Sequence, residues 1–451
     1  MSTLLRLELQ LLVRQRISLL LVLLAVAFCA LAFANGRAVL TQQIAGRAAS
    51  STEDAATNAR VTAMIAEKAE PAAAVLYPFR VQLPVVAPIP PLVDFSAGRA
   101  TFENYAAVVS LRSRADSLFK RTQLDNPEAL ARGSFDLGFF VVIVAPLLLI
   151  GLGYGLFATD RDSGTARLIL AQAGSPIRVL AARSIPRLAL VVAPLAVTVM
   201  LMIANGPDLP GRATAAAWWL GTALALLGFW WAVILLVNSF KISAETAALV
   251  LVGLWSALTL MLPPLIAAGA QIGYPPPSRF DQIATARAAE VASTTAYEND
   301  HPDLASEDFA GRLASVRKTV SIGRTVDAAV APVSRAFDEQ LARQHDLVRM
   351  LAWLSPPLIA GNALNATAGT DIAASLAFRG EVTRYLAAAK AALARPIDQG
   401  AILTPADYRQ LPRFTWKPAP DRPVVPLVVL ITLTILIGGI AVRRLMSPQV
   451  D

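Results

Sequence analysis

The sequence predicts a mainly α membrane protein with six transmembrane helices and two helix-rich extracytoplasmic insertions, one between spans 1 and 2 and one between spans 5 and 6. Hydrophobic residues make up 55% of the 451-residue chain, whereas soluble domains are about 45–50% apolar. Six apolar runs are each long enough to cross roughly 30 Å of hydrocarbon at about 1.5 Å per residue. None of these runs contains Asp, Glu, Lys, Arg or His. The apolar excess is therefore expected to be buried in lipid.

The apolar runs divide the chain into spans and polar segments. The predicted spans are residues 17–34, 137–157, 188–204, 213–237, 247–270 and 424–442. The predicted polar segments are an N-terminal amphipathic segment, 1–16, two outer segments, 35–136 and 271–423, an inner loop, 158–187, and a C-terminal tail, 443–451.

The net charge of +8 is concentrated on one side of this arrangement. Four short segments are predicted on the same side of the membrane as the N-terminus: residues 1–16, 158–187, 238–246 and 443–451. Together they contain eleven Lys and Arg residues against five Asp and Glu residues, a net charge of +6. Each of the two long outer segments is close to neutral, at +1. Because basic loops stay in the cytoplasm, this asymmetry places both termini in the cytoplasm and both long segments outside. Nucleic-acid binding is not needed to explain the charge.

The N-terminal segment is predicted to be a helix that lies at the membrane surface. Leu4, Leu5, Leu11 and Leu12 recur at helical spacing, and the basic side chains lie elsewhere around the helix. A plain charged flank is the alternative. The residues 32–34, Ala-Phe-Ala, resemble a signal-peptidase site, but the long amphipathic segment before them favours an uncleaved anchor.

The two outer segments are predicted to be rich in helix and to pack together. Residues 35–70 favour helix by composition, and helix is expected to resume around 105–120. Between them, six prolines in residues 71–94 favour extended structure. In the second segment, an apolar stripe from Val330 to Leu351, interrupted at Gln344, predicts a long helix. The single cysteine lies in the first span, so no disulfide can join these segments within one chain.

The sequence contains no motif that predicts catalysis. It has no Gly-x-x-x-x-Gly-Lys-Ser/Thr phosphate loop. Its two histidines, His301 and His345, do not have metal-ligand spacing, and His301 is interpreted as a helix-end residue. The glycines of residues 151–155 are interpreted as a surface for close helix approach. The chain is therefore not predicted to be an enzyme, and no cofactor or metal is expected in it.

The absence of charged residues from the spans also bears on which energy source could drive transport. Ion-driven carriers need carboxylates, histidines or broken polar helices within the membrane to hold the coupling ion. The spans contain no such charged group. Energy is therefore expected to enter from a partner protein.

The inner loop has the pattern of a surface that contacts a partner. Asp160 and Asp162 precede Gly164-Thr165, and acidic residues favour a helix N-terminus. A Leu-rich turn is followed by Ser175-Pro176, which predicts a second helix with proline at its first position. Two short helices lying across the membrane surface are therefore predicted, with an ordinary basic loop as the alternative.

The arrangement resembles the permease subunit of an ABC-2 type transporter. The resemblance rests on two spans separated by an outer domain, followed by the acidic-Arg-acidic-x-Gly-Thr pattern, a Leu-rich turn and Ser-Pro. The tracts PPPSRFDQ, ENDHPDLA, FDEQLARQ and LSPPLIAGNALNATAGT are similar to large-ectodomain members, whose outer part is catalogued only as a domain of unknown function. The similarity covers most of the chain. Family members usually have Glu where this chain has Asp160 and Asp162. Asp keeps the negative charge, but its side chain is one methylene shorter.

The resemblance implies a bacterial inner-membrane subunit that pairs with a second copy or a paralogue and binds two cytoplasmic ATPase subunits. Those subunits, and not this chain, would bind ATP and Mg. The outer part would transmit motion or engage a periplasmic partner, and the chain would export a molecule or act as a mechanotransmitter. The implied ATPase contact consists of Asp160, Arg161, Asp162, Gly164, Thr165, Arg167, Ser175, Pro176 and Arg178.

The exit from span 5 is predicted to be stiff. It contains Pro275, Pro276 and Pro277, followed by Arg279, and consecutive prolines limit bending. Movement of the span is therefore expected to pass into the second outer segment. The alternative function is a membrane-anchored periplasmic scaffold or receptor with passive spans, and a neighbouring gene for a P-loop ATPase would favour the transporter.

We predict that topology reporters will follow the charge asymmetry. Fusions after Gly46, Pro207 and Arg312 should report an extracytoplasmic position, and fusions after Gly174 and Ser243 should report a cytoplasmic one, because basic loops resist translocation. Paired phosphatase and fluorescent-protein fusions at each site measure this. A cytoplasmic signal at Arg312 would overturn the six-span arrangement.

Overall fold

Helices dominate the chain, as the sequence predicts. The structure, a computed structural model, describes residues 2–67, 70–101, 105–115, 118, 135–157, 164, 176–240, 242–275, 278–301, 308–418 and 421–446. In order, the elements are α1 (Ser2–Arg14), α2 (Arg16–Ala66), α3 (Pro71–Ala74), α4 (Tyr77–Arg80), β1 (Leu83–Val86), β2 (Ala106–Val109), α5 (Leu137–Gly153), α6 (Pro176–Ala204), α7 (Arg212–Asn238), α8 (Ala244–Gly273), α9 (Arg279–Asp300), α10 (Phe309–Leu351), α11 (Pro356–Ala368), α12 (Ile372–Gln399), α13 (Pro405–Arg409) and α14 (Val424–Met446).

Five of these helices are long and apolar enough to cross a membrane. They are α2, α6, α7, α8 and α14. The helix over the predicted second span, α5, is shorter, with Leu137–Gly153 as its bounds. A multi-pass membrane protein with a mainly helical fold is therefore confirmed by the length and composition of its helices.

The first span continues into the outer domain without a break. The helix α2 has 51 residues, or about 76 Å at roughly 1.5 Å per residue, which is more than twice the thickness of the hydrocarbon core. The predicted helix over residues 35–70 is thus confirmed as far as Ala66. At the other end, extended Gln15 separates α2 from α1, so the N-terminal segment forms a helix of its own.

Side-chain contacts identify the helix ends that lie together at the end of the bundle predicted to face the cytoplasm, here called the inner end. The Asn238 side-chain amide at the end of α7 donates to the Gly153 carbonyl at the end of α5, at 3.0 Å. The Arg444 guanidinium at the end of α14 lies 4.3 Å from the centre of the Phe240 ring, which follows α7. The C-terminal ends of α5, α7 and α14 therefore lie together.

The helix ends at the opposite end of the bundle, predicted to be extracytoplasmic and here called the outer end, are identified in the same way. The Asn35 amide of α2 donates to the Phe135 carbonyl, just before α5, at 2.9 Å. The Arg37 guanidinium, also on α2, donates to the Asn205 carbonyl at the end of α6. Consecutive helices in the bundle therefore run in opposite directions.

Two of the apolar helices contain π-helical turns. These turns are Phe140–Val144 in α5 and Ser256–Met261 in α8. Each turn precedes a proline, Pro146 in α5 and Pro263 in α8, which has no N–H for the carbonyl four residues earlier. In α8, the Ser355 hydroxyl donates to the Leu258 carbonyl at 2.8 Å. The hydrogen-bond register therefore shifts where a proline interrupts it.

The two outer segments share one hydrophobic core, as predicted. Side chains from the first segment, such as Val61 and Val85, pack in a single cluster with Val382, Leu386 and others from the second. The predicted long helix over the apolar stripe is also confirmed, since α10 covers it. The outer domain is therefore built from both segments and cannot be divided along the chain.

Two local predictions in the first outer segment are wrong. Residues 106–109 form a strand and not a helix, because they pair antiparallel with β1, Val85 opposite Ala107. The turn after the strand is fixed by the Ser113 hydroxyl, which accepts from the Ser110 N–H at 3.0 Å. Within the proline-rich part, α3 and α4 form single helical turns with proline in their first two positions, where the missing N–H costs nothing.

The helix α11 belongs to the bundle, although the sequence places it within the second outer segment. Its buried side chains Ile359, Ala360, Leu364 and Ala368 lie in the same cluster as those of α7 and α5. This small, apolar helix fills space against α7 that a longer polar helix could not occupy. The outer domain and the bundle are therefore continuous through α11.

We predict that Leu393→Ala will destabilise the outer domain by about 2–5 kcal/mol, because this fully buried side chain of α12 lies in the shared core. Pulse proteolysis in increasing urea measures the loss. The control is Leu376→Ala on the same helix, whose side chain is exposed and whose loss should stay within about 0.5 kcal/mol. Equal effects of the two changes would contradict a core shared by both segments.

Candidate coupling sites at the two ends of the bundle

A cluster of three charged side chains ties α1 to α6 at the inner end of the bundle. The Glu8 carboxylate accepts from the Arg183 Nε and from the Arg187 guanidinium, each at 3.1 Å. All three side chains are largely buried, with 10–14% of each exposed. Ion pairs shielded from water in this way hold their geometry far better than exposed pairs. We call these residues the inner clamp.

The inner clamp also binds the end of α5. The Arg183 guanidinium donates to the Leu156 carbonyl at 2.6 Å, and the Arg187 Nε donates to the Leu152 carbonyl at 3.1 Å. Carbonyls at a helix C-terminus lack partners within the helix and carry the negative end of its dipole, so arginine stabilises them. The clamp therefore joins α1, α5 and α6.

The positions of these arginines follow from the way α6 begins. The helix starts at Pro176, and proline is favoured at a first helical position. Arg183 and Arg187 then lie four residues apart, on the same face of the helix. The helix continues without interruption to Ala204, which differs from the predicted separate surface helix over this part of the inner loop.

Most of the predicted ATPase contact lies outside the described residues. These positions are Asp160, Arg161, Asp162, Thr165, Arg167 and Ser175. Among the others, Gly164 is exposed and has a φ of 70°, which side chains other than glycine rarely adopt. Pro176 begins α6, and Arg178 is exposed two residues later. The predicted loop therefore leads directly into the helix that carries the inner clamp.

The outer end of the bundle is held by a second buried ion pair, between Asp94 and Arg212. The two guanidinium nitrogens of Arg212, at the start of α7, donate to the two carboxylate oxygens at 3.0 and 2.7 Å. The Asp94 side chain is fully buried, and only 5% of the Arg212 side chain is exposed. Arg212 also donates to the carbonyls of Pro91 and Met202 at 2.6 and 3.0 Å. This bidentate geometry fixes both partners.

The loop that carries Asp94 contacts several helices. Gly36 of α2 lies against it so closely that a Cβ atom there would be 2.1 Å from the Asp94 carbonyl oxygen. The Trp219 indole of α7 donates to the Ser96 hydroxyl at 3.0 Å, and the Thr370 hydroxyl after α11 donates to the Ser96 carbonyl at 2.9 Å. We call residues 91–98 the outer anchor, since they join the outer domain to α2, α7 and the end of α11.

The outer anchor is also joined to the start of α5. The Asp136 carboxylate accepts from the Phe139 N–H at 2.7 Å, which caps the helix, and from the Ala97 N–H at 2.8 Å. One side chain therefore fixes both the first turn of α5 and the end of the anchor. The Gly138 N–H adds a bond of 3.0 Å to the Phe95 carbonyl.

The stiff junction after α8 is held by glutamines from α10. The Gln340 amide donates to the Pro275 carbonyl at 3.2 Å, and the Gln344 amide donates to the Tyr274 carbonyl. Of the other predicted junction residues, Pro276 and Pro277 lie outside the described part of the chain. Arg279 begins α9, and nothing is described of its side chain. The junction is thus attached to α10, and its predicted stiffness stays a prediction.

Sequence reasoning did not identify the contacts made by Glu8, Asp94, Arg212 and Gln344. The available signals were weak: Glu8 is the one acidic residue of the N-terminal segment, and Gln344 interrupts an apolar stripe. His301, by contrast, ends α9 as interpreted and stacks on Tyr297 at 4.3 Å. Among the described residues, no group of three or more His, Cys, Asp or Glu is placed to hold a metal ion. These contacts connect helix ends at both ends of the bundle.

One family model matches the chain, and it is described as a domain of unknown function (DUF3526). It matches residues 284–417, less than a third of the chain. The matched part covers most of α9 and all of α10 to α13. No curated protein and no solved structure matches the chain.

We predict that Arg212→Met will destabilise the protein by about 3–5 kcal/mol, because the buried Asp94 carboxylate loses its charge partner. Thermal unfolding in detergent, followed by circular dichroism, measures this. The double variant Asp94→Asn with Arg212→Met removes both charges and should be more stable than the single variant. If the double variant is the less stable of the two, ionic pairing is not what secures the outer anchor.

Proposed function

We propose that the chain is the transmembrane subunit of an ATP-driven ABC-2 type transporter, acting as an exporter or a mechanotransmitter. In this proposal α5 also crosses the membrane, as the second of six spans, and both termini are cytoplasmic. The protein lies in a bacterial inner membrane as a dimer or paired with a paralogue. Separate cytoplasmic subunits bind ATP and Mg and supply the energy. The chain itself does no chemistry.

The inner clamp is the observation that carries this proposal. The inner loop that resembles an ATPase contact runs directly into α6, whose Arg183 and Arg187 are bound to α1 and to the end of α5. A push on the loop therefore acts on three helices together. A scaffold with passive spans has no need for buried ion pairs immediately after a cytoplasmic loop.

The outer contacts support transmission of that movement across the bundle. Arg212 of α7 bonds both to Asp94 of the outer anchor and to the end of α6 at Met202. The clamp and the anchor thus lie at opposite ends of α6. The helix α6 spans both ends, although Pro186 and Pro194 lie inside it and each lacks the N–H for the carbonyl four residues earlier. In this proposal, displacement at the inner end of α6 is passed along the helix to the outer domain.

The described part of the inner loop is compatible with a fixed turn that a partner recognises. Gly164 is exposed and holds a left-handed conformation. Acidic residues on either side of Arg161 precede it. We propose that this turn is inserted in a groove of the ATPase subunit, where Asp160 and Asp162 meet basic side chains.

We predict that Asp160→Lys combined with Asp162→Lys will abolish co-purification of the ATPase subunit. Each reversed charge loses its partner or faces a like charge, at about 1–3 kcal/mol per desolvated contact. Affinity purification of the tagged chain from cells that express both subunits measures this, with membrane insertion checked by fractionation.

The matched control reverses two exposed acidic residues of α9, Asp281→Lys with Glu290→Lys. It changes the net charge equally on the outer side and should leave recovery of the ATPase unchanged. Unchanged recovery in the Asp160 and Asp162 variant would remove the loop from the interface. If no ATPase is recovered even with the unaltered chain, the scaffold or receptor is favoured.

A further inference from the structure

An extended segment of the outer domain, Arg413–Lys417, has an open backbone. We call these five residues the strip. Its side chains alternate, with Phe414 and Trp416 half-buried and Arg413, Thr415 and Lys417 exposed. This is the pattern of a strand with one face on a core. Among the described residues, however, the strip makes no hydrogen bond with another backbone segment.

Aromatic contacts anchor the buried face of the strip. The Phe414 ring lies 6.0 Å from Phe378 and 5.4 Å from Tyr385, and the Trp416 ring lies 5.3 Å from Phe378, measured between ring centroids. The Tyr385 hydroxyl donates to the Pro412 carbonyl at 3.0 Å, just before the strip. The strip is therefore held in place by its side chains while its backbone edges stay unpaired.

Open space lies between the strip and β1. A cavity of about 660 Å³ is lined by Val86–Ile89 on one side and Phe414–Lys417 on the other, with Arg47 of α2 also lining it. A second cavity, of about 670 Å³, is lined by Leu83 and Phe414 together with Asn58, Thr62 and Ile65 of α2. The two cavities share Phe414, so they are adjacent parts of one groove. Each has the volume of a ligand site.

The strand β1 offers a second free edge to this groove. Within the part of the chain that the structure describes, it pairs only with β2. The Ala87 N–H donates to the Tyr105 carbonyl at 2.7 Å, and bonded positions alternate along an antiparallel pair. The N–H and carbonyl of Val86 therefore point away from β2. A strand that enters the groove can bond to β1 on one side and to the strip on the other.

The groove is strongly basic. Of the described residues that line the two cavities, none is Asp or Glu, whereas Arg47, Arg409, Arg413 and Lys417 are among them. Arg47 uses its hydrogen bonds on the neutral carbonyls of Ala87 and Pro88, so its charge is not balanced by a carboxylate there. An occupant that carries negative charge is favoured.

We propose that this groove is a docking site for an extended acidic segment of a periplasmic protein, which adds as a strand between β1 and the strip. The occupant's backbone would bond to the unpaired edges, and acidic side chains would face Arg413 and Lys417. Exposed strand edges recruit partner strands in this way. The outer location rests on the proposed topology, but binding here requires neither ATP nor the ATPase subunit.

The first test measures peptide binding by the full chain in lipid nanodiscs, without ATP. The probe is a fluorescent ten-residue peptide of alternating Glu and Val, compared with the same peptide with Lys in place of Glu. By fluorescence anisotropy, the Glu peptide should bind at least about tenfold more tightly. Arg413→Glu with Lys417→Glu should weaken it by about tenfold, while Arg335→Glu with Arg343→Glu, exposed positions of α10, should leave it within about twofold.

The second test asks whether the peptide adds as a strand. Binding should slow amide hydrogen exchange at residues 413–417 and at Val86, and backbone N-methylation of alternate peptide residues should abolish it. The proposal is overturned if the methylated peptide binds equally well, or if dextran sulfate competes while these amides stay unprotected. It is also overturned if these amides are protected without peptide and lose protection on dilution, since a second copy of the chain would then fill the groove.

Discussion

The buried pairing of Asp94 with Arg212 sets the geometry of everything around it. Two charges removed from water are stabilised when donors and acceptors close to them are matched. The bidentate geometry and the carbonyls of Pro91 and Met202 match both terminal nitrogens of Arg212, whereas its buried Nε has no hydrogen-bond partner among the described residues. The pair therefore ties the outer anchor to the start of α7 and to the end of α6.

Helices in lipid were the most predictable part of the fold, because apolar length and flanking charge determine them locally. The predicted span 213–237 lies within Arg212–Asn238, and 424–442 lies within Val424–Met446. The strand β2 was not predictable, since alanine and valine at 106–109 become a strand only by pairing with β1 some twenty residues earlier. The π-turn of α8 was not predictable either, because a proline in an apolar helix is equally compatible with a simple kink and with a π-turn.

The candidate site was predicted only in part, for the same reason. The sequence pointed to the inner loop, whose acidic and glycine residues form a local pattern. The inner clamp joins Glu8 to Arg183 across 175 positions, and nothing in either neighbourhood indicates the other. In the sequence these residues counted only as charges on the cytoplasmic side. Their role emerges when packing brings three helix ends together and buries the charges that the topology argument had treated as exposed.

The length of α2 has a consequence for amplitude. A rigid rod of about 76 Å that pivots near its inner end would carry its tip about 13 Å for a tilt of about 10°. Small rotations in the membrane thus become large excursions in the outer compartment. Leverage of this kind exchanges force for distance, so the tip moves far but pushes weakly. Within the proposed function, a helix of this length suits a mechanotransmitter that repositions a bound object better than an exporter that forces a molecule through a narrow passage.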